Sequence, residues 1–209
     1  MTVTARTRTP RRRSHAKGAG RPSLRDVIRS TARDLFARQG YESVSMRRIG
    51  AEVGCSAMAM YRHFTSKEDL LLSICEETFE QMNRALDLVA NTPGTRLDVL
   101  RASINTIIDF HLSHPNHFRV TFMTPMPSGS AAERRAAVAR RAVERLRTGV
   151  RECAEAKSLD VDVETITQMI RAGIYGYVAI LITAHKLCPL GDPEPVRRQL
   201  IASLTRQLE

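Results

Sequence analysis

"SMRRIGAEVGCSAMAMYRHF", residues 45–64, holds two short helical patterns on either side of one glycine. Met46, Ile49 and Val53 recur at helical spacing behind Ser45, a residue type that caps helix starts. Gly54 permits the positive φ of a tight turn. Ser56 then caps a second helix that turns Met60 and Phe64 inward. Arg47, Arg48, Tyr61, His63 and, just downstream, Lys67 are left outside. Two such helices joined by a glycine turn make a helix-turn-helix, whose second helix lies in the DNA major groove while the first crosses above it. Each helix start adds unpaired N–H groups and a positive dipole end, both suited to phosphate.

Charge follows the same division. The formal net charge is +10 over 209 residues, unevenly spread. Residues 1–22 hold seven basic side chains and no acid, residues 23–68 eight basic against five acidic, and residues 69–209 seventeen of each sign. A head that binds a polyanion needs that asymmetry, whereas solubility alone does not. "RTRTPRRRSHAKGAGRP", residues 6–22, reads as part of a disordered basic arm, because no apolar stretch follows it to make a secretory signal. Such an arm either solubilises the chain or adds phosphate and minor-groove contacts. No apolar run is expected to approach the ~20 residues that span a bilayer. Cys55, Cys75, Cys153 and Cys188 have no zinc or redox spacing and read as small thiols of a reducing cytoplasm. An exposed, ionised Cys55 beside the recognition helix would make a redox sensor, a lesser variant.

Apolar spacing is helical almost throughout, and 5% aromatic content without Trp favours helices over a β-sandwich. Leu24, Val27, Ile28, Leu35 and Phe36 form one stripe between a Ser23/Asp26 capping box and Gly40. From Ser66 and Asp69 a longer helix runs through Leu70, Leu71, Ile74, Thr78, Met82, Leu86 and Val89. Further helices are predicted over residues 96–113, a short piece 116–123, then 130–156, 163–187 and 194–208. The fold class is all-α: about three short helices, then about six mostly longer ones.

"GYESVSMRRIGAEVGCSAMAMYRHFTSKEDLL", residues 40–71, resembles the DNA-binding head of the TetR family of bacterial transcription regulators. Gly40-Tyr41, Ser45, Ile49, Gly54, Ser56, Tyr61, His63-Phe64, Lys67, Glu68 and Leu70 carry the likeness, and "YRHF" followed by "SKEDL" is its most specific part. It covers roughly residues 23–72, and the remainder matches in helical layout only. It implies phosphate contacts from Tyr61, His63 and Lys67, with Ser45 and Ser56 at their helix starts, and a base or phosphate contact from Arg47. Arg48 either joins them or pairs with an acid. Tyr61 read without the resemblance is a half-buried core aromatic. Where relatives usually carry Lys-Gly-Thr, this chain has Ala57-Met58-Ala59. Apolar side chains touch a thymine methyl but make no bidentate pair with a purine. Ala57 and Met58 are therefore expected to read shape and methyls, and Arg47 to supply the strongest polar readout. Gly50 and Val53 look like harmless packing variants.

The layout implies a basic arm (1–22), a helix-turn-helix domain (23–68) and a ligand-binding and dimerisation domain (69–209). Ala172, Gly173, Gly176 and Ala179 are small enough for close helix approach, so residues 163–187 and 194–208 are expected to form a homodimer interface, ordinary intramolecular packing being the alternative. Asn105, Phe110, His114, Phe118, Phe122, Met169, Tyr175 and Tyr177, with His111, Arg119, Met123 and Met126 nearby, would line a pocket for a small, largely apolar effector, or simply fill a core. His111, His114 and His117 suggest a metal, but Pro115 interrupts them and no adjacent Cys or carboxylate completes a set, so neither metal nor cofactor is expected.

No phosphate loop, nucleophile elbow or metal spacing points to an enzyme. The expected function is a sequence-specific regulator of double-stranded DNA with a palindromic operator. It would be a repressor released by a small molecule, bacterial and cytoplasmic, nucleoid-associated when bound, with no membrane partner. The alternative is a ligand-independent or weakly specific DNA-binding protein.

Overall fold

A computed structural model describes residues 22–91, 93–125, 130–184 and 191–209. Residues 1–21 of the basic arm, Met126 and Cys188 lie outside the described residues. The helices are α1 (Leu24–Gln39), α2 (Met46–Val53), α3 (Ala57–His63), α4 (Lys67–Val89), α5 (Arg96–Ser113), α6 (Pro115–Phe122), α7 (Ser130–Ala156), α8 (Val163–Ala179) and α9 (Pro193–Thr205). There is no strand among the described residues. Local chemistry sets most helix starts. Ser45, Ser56 and Ser66 each accept a hydrogen bond from the backbone N–H three residues on, at 3.1, 3.2 and 3.1 Å. Ser23/Asp26 and Thr95/Asp98 close reciprocal capping boxes. Gly54 ends α2 at φ +74, in the left-handed region.

Two cores form. The head core packs Ile28, Leu35, Phe36, Val44, Ile49, Met60 and Phe64. It does not stop at residue 68: Leu70, Leu71 and Ile74 of α4 and Val120 of α6 complete it. A three-helix head buries too little alone, so the body's helices close its open side. Gly50 brings α2 close to α3: a Cβ there would lie 3.2 Å from Cγ of Met60 and from the Cys55 carbonyl. It is a close-approach position rather than a neutral variant. The body core runs from Phe79, Met82 and Leu86 through α5 and α7 to Ile166, Ile170 and Ile174.

Some expectations change. The head's first helix is 16 residues long, not short, and Leu24 is exposed at its start. The helix expected over 163–187 is regular only to Ala179 and continues as a π turn, Ile180–Ala184, the last residues of the stretch lying outside those described. There the Thr183 hydroxyl donates to the Ala179 carbonyl at 2.6 Å, competing with the backbone ladder. Val163–Ala184 is, at 22 residues and mean hydropathy 1.3, long and apolar enough to cross a membrane, against the sequence expectation. Its inner side packs on α5, α7 and α9 instead. At Gly173 an added Cβ would meet Leu204 Cδ1 at 2.6 Å, so a larger residue there would make the Leu204 side chain of α9 move aside. Arg197, nearly buried on α9, donates to Asp109 and to Asn105 Oδ1 at 2.7 and 2.8 Å, tying α9 to α5.

Candidate nucleic-acid interface

The outer face of α2 and α3 is the surface the helix-turn-helix offers. Ser45 and Ser56 spend a lone pair on their caps, which leaves each O–H able to donate to a phosphate. Arg47 is exposed, as is Ala57. Met58 is 78% exposed and Tyr61 54%, so Tyr61 is not a core aromatic. Arg48 lies 3.4 Å from Glu52, one turn along α2. Lys67 is less available than expected. Its ammonium donates to the Tyr41 carbonyl at 3.1 Å and sits 4.1 Å over the Tyr41 ring. Arg25, which sequence spacing did not single out, donates to the His63 carbonyl at 2.7 Å, with its guanidinium 4.4 Å over the Phe64 ring. A cation thus satisfies an orphan carbonyl at the C-terminal end of α3, from 38 residues away.

α6 joins head to body, and nothing in its sequence announced that. Arg33 of α1 donates to His117 Nε2 at 2.8 Å. Guanidinium cannot accept, so Nε2 is the acceptor and Nδ1 carries the proton toward Thr78 Oγ1, 2.9 Å away. Burial first, and Arg33 second, push the His117 pKa down to about 3, which keeps the ring neutral. Asn116 donates to Asp34 at 3.1 Å, and Arg29 pairs with Glu77 of α4 at 3.1 Å.

The other side of α6 faces an aromatic group in the body. Phe118 and Phe122 meet Tyr175 of α8 and His111 of α5, which in turn meets Phe110; the Phe122–Tyr175 centroids are 4.6 Å apart. His111 is completely buried, and neither ring nitrogen has a hydrogen-bond partner among the described residues. Burial, with a smaller contribution from His114, pushes its pKa down to about 4. His114 stacks on Phe110 at 4.7 Å, and its Nδ1 lies 2.8 Å from that residue's carbonyl. The other expected pocket residues are elsewhere. Asn105 faces Arg197 of α9, the Tyr177 hydroxyl donates to the Pro193 carbonyl at 2.9 Å, and Met169 is exposed. Positions five apart on α5 and two apart on α8 point to different faces, which composition did not register.

Residues 28–74 match the model of the tetR family of bacterial regulatory proteins, and residues 100–204 that of a tetracyclin repressor-like C-terminal domain. The chain belongs to the TetR family. It is a DNA-binding transcriptional regulator, with the head and the helical domain of a ligand-responsive repressor. Similar solved structures include the fatty acid degradation regulator FadR of Bacillus halodurans, 19% identical, TM-score 0.74, covering 88% of this chain and 95% of that one. FadR of Bacillus subtilis in complex with stearoyl-CoA is 18% identical, TM-score 0.74, over 87% and 98%. AibR in complex with isovaleryl coenzyme A and operator DNA is 18% identical, TM-score 0.71, over 87% and 97%. At such identities the likeness speaks for the TetR fold alone.

Proposed function

We propose that this TetR-family regulator is a homodimeric repressor that leaves a palindromic operator when an acyl thioester of coenzyme A enters its body. The carrying observation is the position of α6. One side of this eight-residue helix holds the head through His117 and Val120, and the other holds the aromatic group through Phe118 and Phe122. A ligand that separates Tyr175 from Phe122 would displace α6, and with it α1 and the long α4, which α6 also packs against. Release requires only that the ligand bind the displaced state better. FadR with stearoyl-CoA and AibR with isovaleryl coenzyme A support the ligand class. Met169 and Ile180 at the exposed side of α8 and the adjoining π turn, with Val196 on α9, support a two-fold contact through residues 163–187 and 194–208.

On DNA, Arg47, Arg48, Ser45, Ser56, Tyr61, His63 and Lys67 would hold phosphates or bases, and Ala57 and Met58 thymine methyls. The arm before residue 23 would add phosphate contacts. No catalytic role is assigned, and the protein would work in the bacterial cytoplasm. Selection of genomic fragments by the purified protein would supply an operator, whose fluorescence anisotropy with added palmitoyl-CoA or isovaleryl-CoA tests release.

A second reading rests on one observation. The interior cavity beside Tyr175 is only about 20 Å³, far below the ~300–1,000 Å³ of ordinary ligand sites. A body that never opens, behind a plain Ala-Met-Ala face, would make a ligand-independent, weakly specific DNA-binding protein. Fragment selection without a motif would favour it.

A further inference from the structure

Outside the aromatic group, a groove of about 340 Å³ runs between α7 and α8. Ala139 and Val143 form its apolar floor, and Arg140, Arg147 and Arg171 stand around it, with Glu144 as the acid among its lining residues. That acid is already shared: Arg147 bonds it, and Arg151 lies 3.7 Å from its other oxygen. Arg147 also reaches Glu164 at 2.7 Å. Arg140 and Arg171 make no ion pair among the described residues. Arg171 donates to the neutral Gln168 side chain at 2.6 Å, and its Nε is buried without a partner. Residues 69–209 balance their charges overall, so this local excess of cation is a feature of the groove.

The groove adjoins the apolar interior. Val143 and Arg171 line both it and the 20 Å³ cavity bounded by Met82, Ile174 and Tyr175. The Arg171 guanidinium lies 5.8 Å from the Tyr175 ring centroid, and that ring packs, tilted by 36°, against Phe122 of α6. One arginine therefore separates a wet cationic groove from the greasy contact that positions α6. An amphiphile with an anionic head and an apolar tail matches that division. Guanidinium forks bind phosphate and carboxylate oxygens bidentately, and a tail that displaces the Arg171 stem would reach Tyr175 first.

We infer that the groove between α7 and α8 binds the anionic head of the effector, its phosphates held by Arg140 and Arg171, while the tail enters the body beside Arg171. This rests on the acyl-thioester reading above. Arg147 is the groove's structural cation, and Arg140 and Arg171 are its ligand-facing ones.

The test is calorimetric titration of the full chain with palmitoyl-CoA, coenzyme A and palmitate, at two salt concentrations. Arg140→Gln, Arg171→Gln and the double variant are compared with wild type. Arg140 is exposed, so its variant is expected to keep the wild-type melting temperature and to report the head group alone. The expected result is competition between coenzyme A and palmitoyl-CoA, and about a tenfold loss of both per arginine removed. Palmitate binding would be unaffected by Arg140→Gln. Wild-type affinity for palmitoyl-CoA in the double variant would overturn the groove while leaving the thioester effector standing. Palmitate binding as tightly as the thioester, with no effect of salt, would also overturn it. Wild-type protein that binds neither palmitoyl-CoA nor coenzyme A would remove the effector reading, and the groove with it.

Discussion

Arg33 Nη1 lies 2.8 Å from His117 Nε2, so a cation on the head is held by a neutral ring on the body. Arg33 also lies 3.6 Å from Glu77, which Arg29 holds at 3.1 Å. The contact is a head-to-body tie in which Arg29 Nε, Arg33 Nε and Glu77 Oε2 are buried without a well-formed hydrogen bond, so charge pairing and the His117 contact hold it. His117→Leu would leave a largely buried guanidinium short of an acceptor, while Thr78 would keep its bonds to Thr121 and the Ile74 carbonyl. A loss of about 1–3 kcal/mol of stability is expected from such an unpaired group. If α6 carries the signal, the variant also binds operator nearly as wild type but is released poorly by effector. Denaturant unfolding and operator titration with and without palmitoyl-CoA check both parts; normal release would remove α6 from the mechanism.

The two buried histidines set an acid limit. Their folded pKa values, about 4 for His111 and about 3 for His117, lie below the ordinary ~6.5 of the unfolded chain. Below pH 6.5 the unfolded state therefore binds protons that the folded state refuses. Stability is fully present above about 6.5 and falls as pH drops toward the folded values. At pH 5 each ring removes roughly 2 kcal/mol. Urea midpoints at pH 7 and pH 5 measure this. His111→Leu, which removes two unpaired buried nitrogens, is expected to gain about 1–3 kcal/mol at pH 7 and to halve the acid slope. Equal slopes in wild type and variant would place the titration elsewhere.

On the reading face, Arg47→Ala is expected to weaken the selected operator by about 1–3 kcal/mol and to relax preference at one base pair. Met58→Ala should act less, and only where a thymine methyl lies beneath it. Competition binding against single-base operator variants distinguishes the two. An operator affinity unchanged in Arg47→Ala would shift specificity to DNA shape or to the arm.

How far these features can be read in the sequence depends on range. Ser23, Ser45, Ser56 and Ser66 mark helix starts because a cap is a three-residue event. Met60 and Phe64 mark an inner face because helical period is local. Arg25 on the end of α3, Arg33 against His117 and Val120 in the head's core are contacts across 38 to 84 residues, and no spacing encodes them. Asn105, Tyr177 and Met169 lie away from the aromatic group by the same logic. Residue type suggested a lining, but the helical face they occupy is decided by α9 and by solvent.

The interface prediction turns on that same α8 surface. Met169, Ile180 and Val196 are 41%, 43% and 42% exposed, apolar side chains on the side of α8 and α9 away from the body core. Exposed apolar groups of this size on adjoining elements are normally covered, and a second copy would cover them with itself. Val196→Glu places two charges near each other across a two-fold contact without touching the monomer's core. Analytical ultracentrifugation is expected to show wild-type dimer and variant monomer, with melting now independent of protein concentration. Each head alone makes half the contacts, so operator affinity should fall by at least about tenfold while α3 itself is unaltered. A variant that stays dimeric would move the interface off α8 and α9, and Met169→Glu would then separate the contribution of α8 from that of α9.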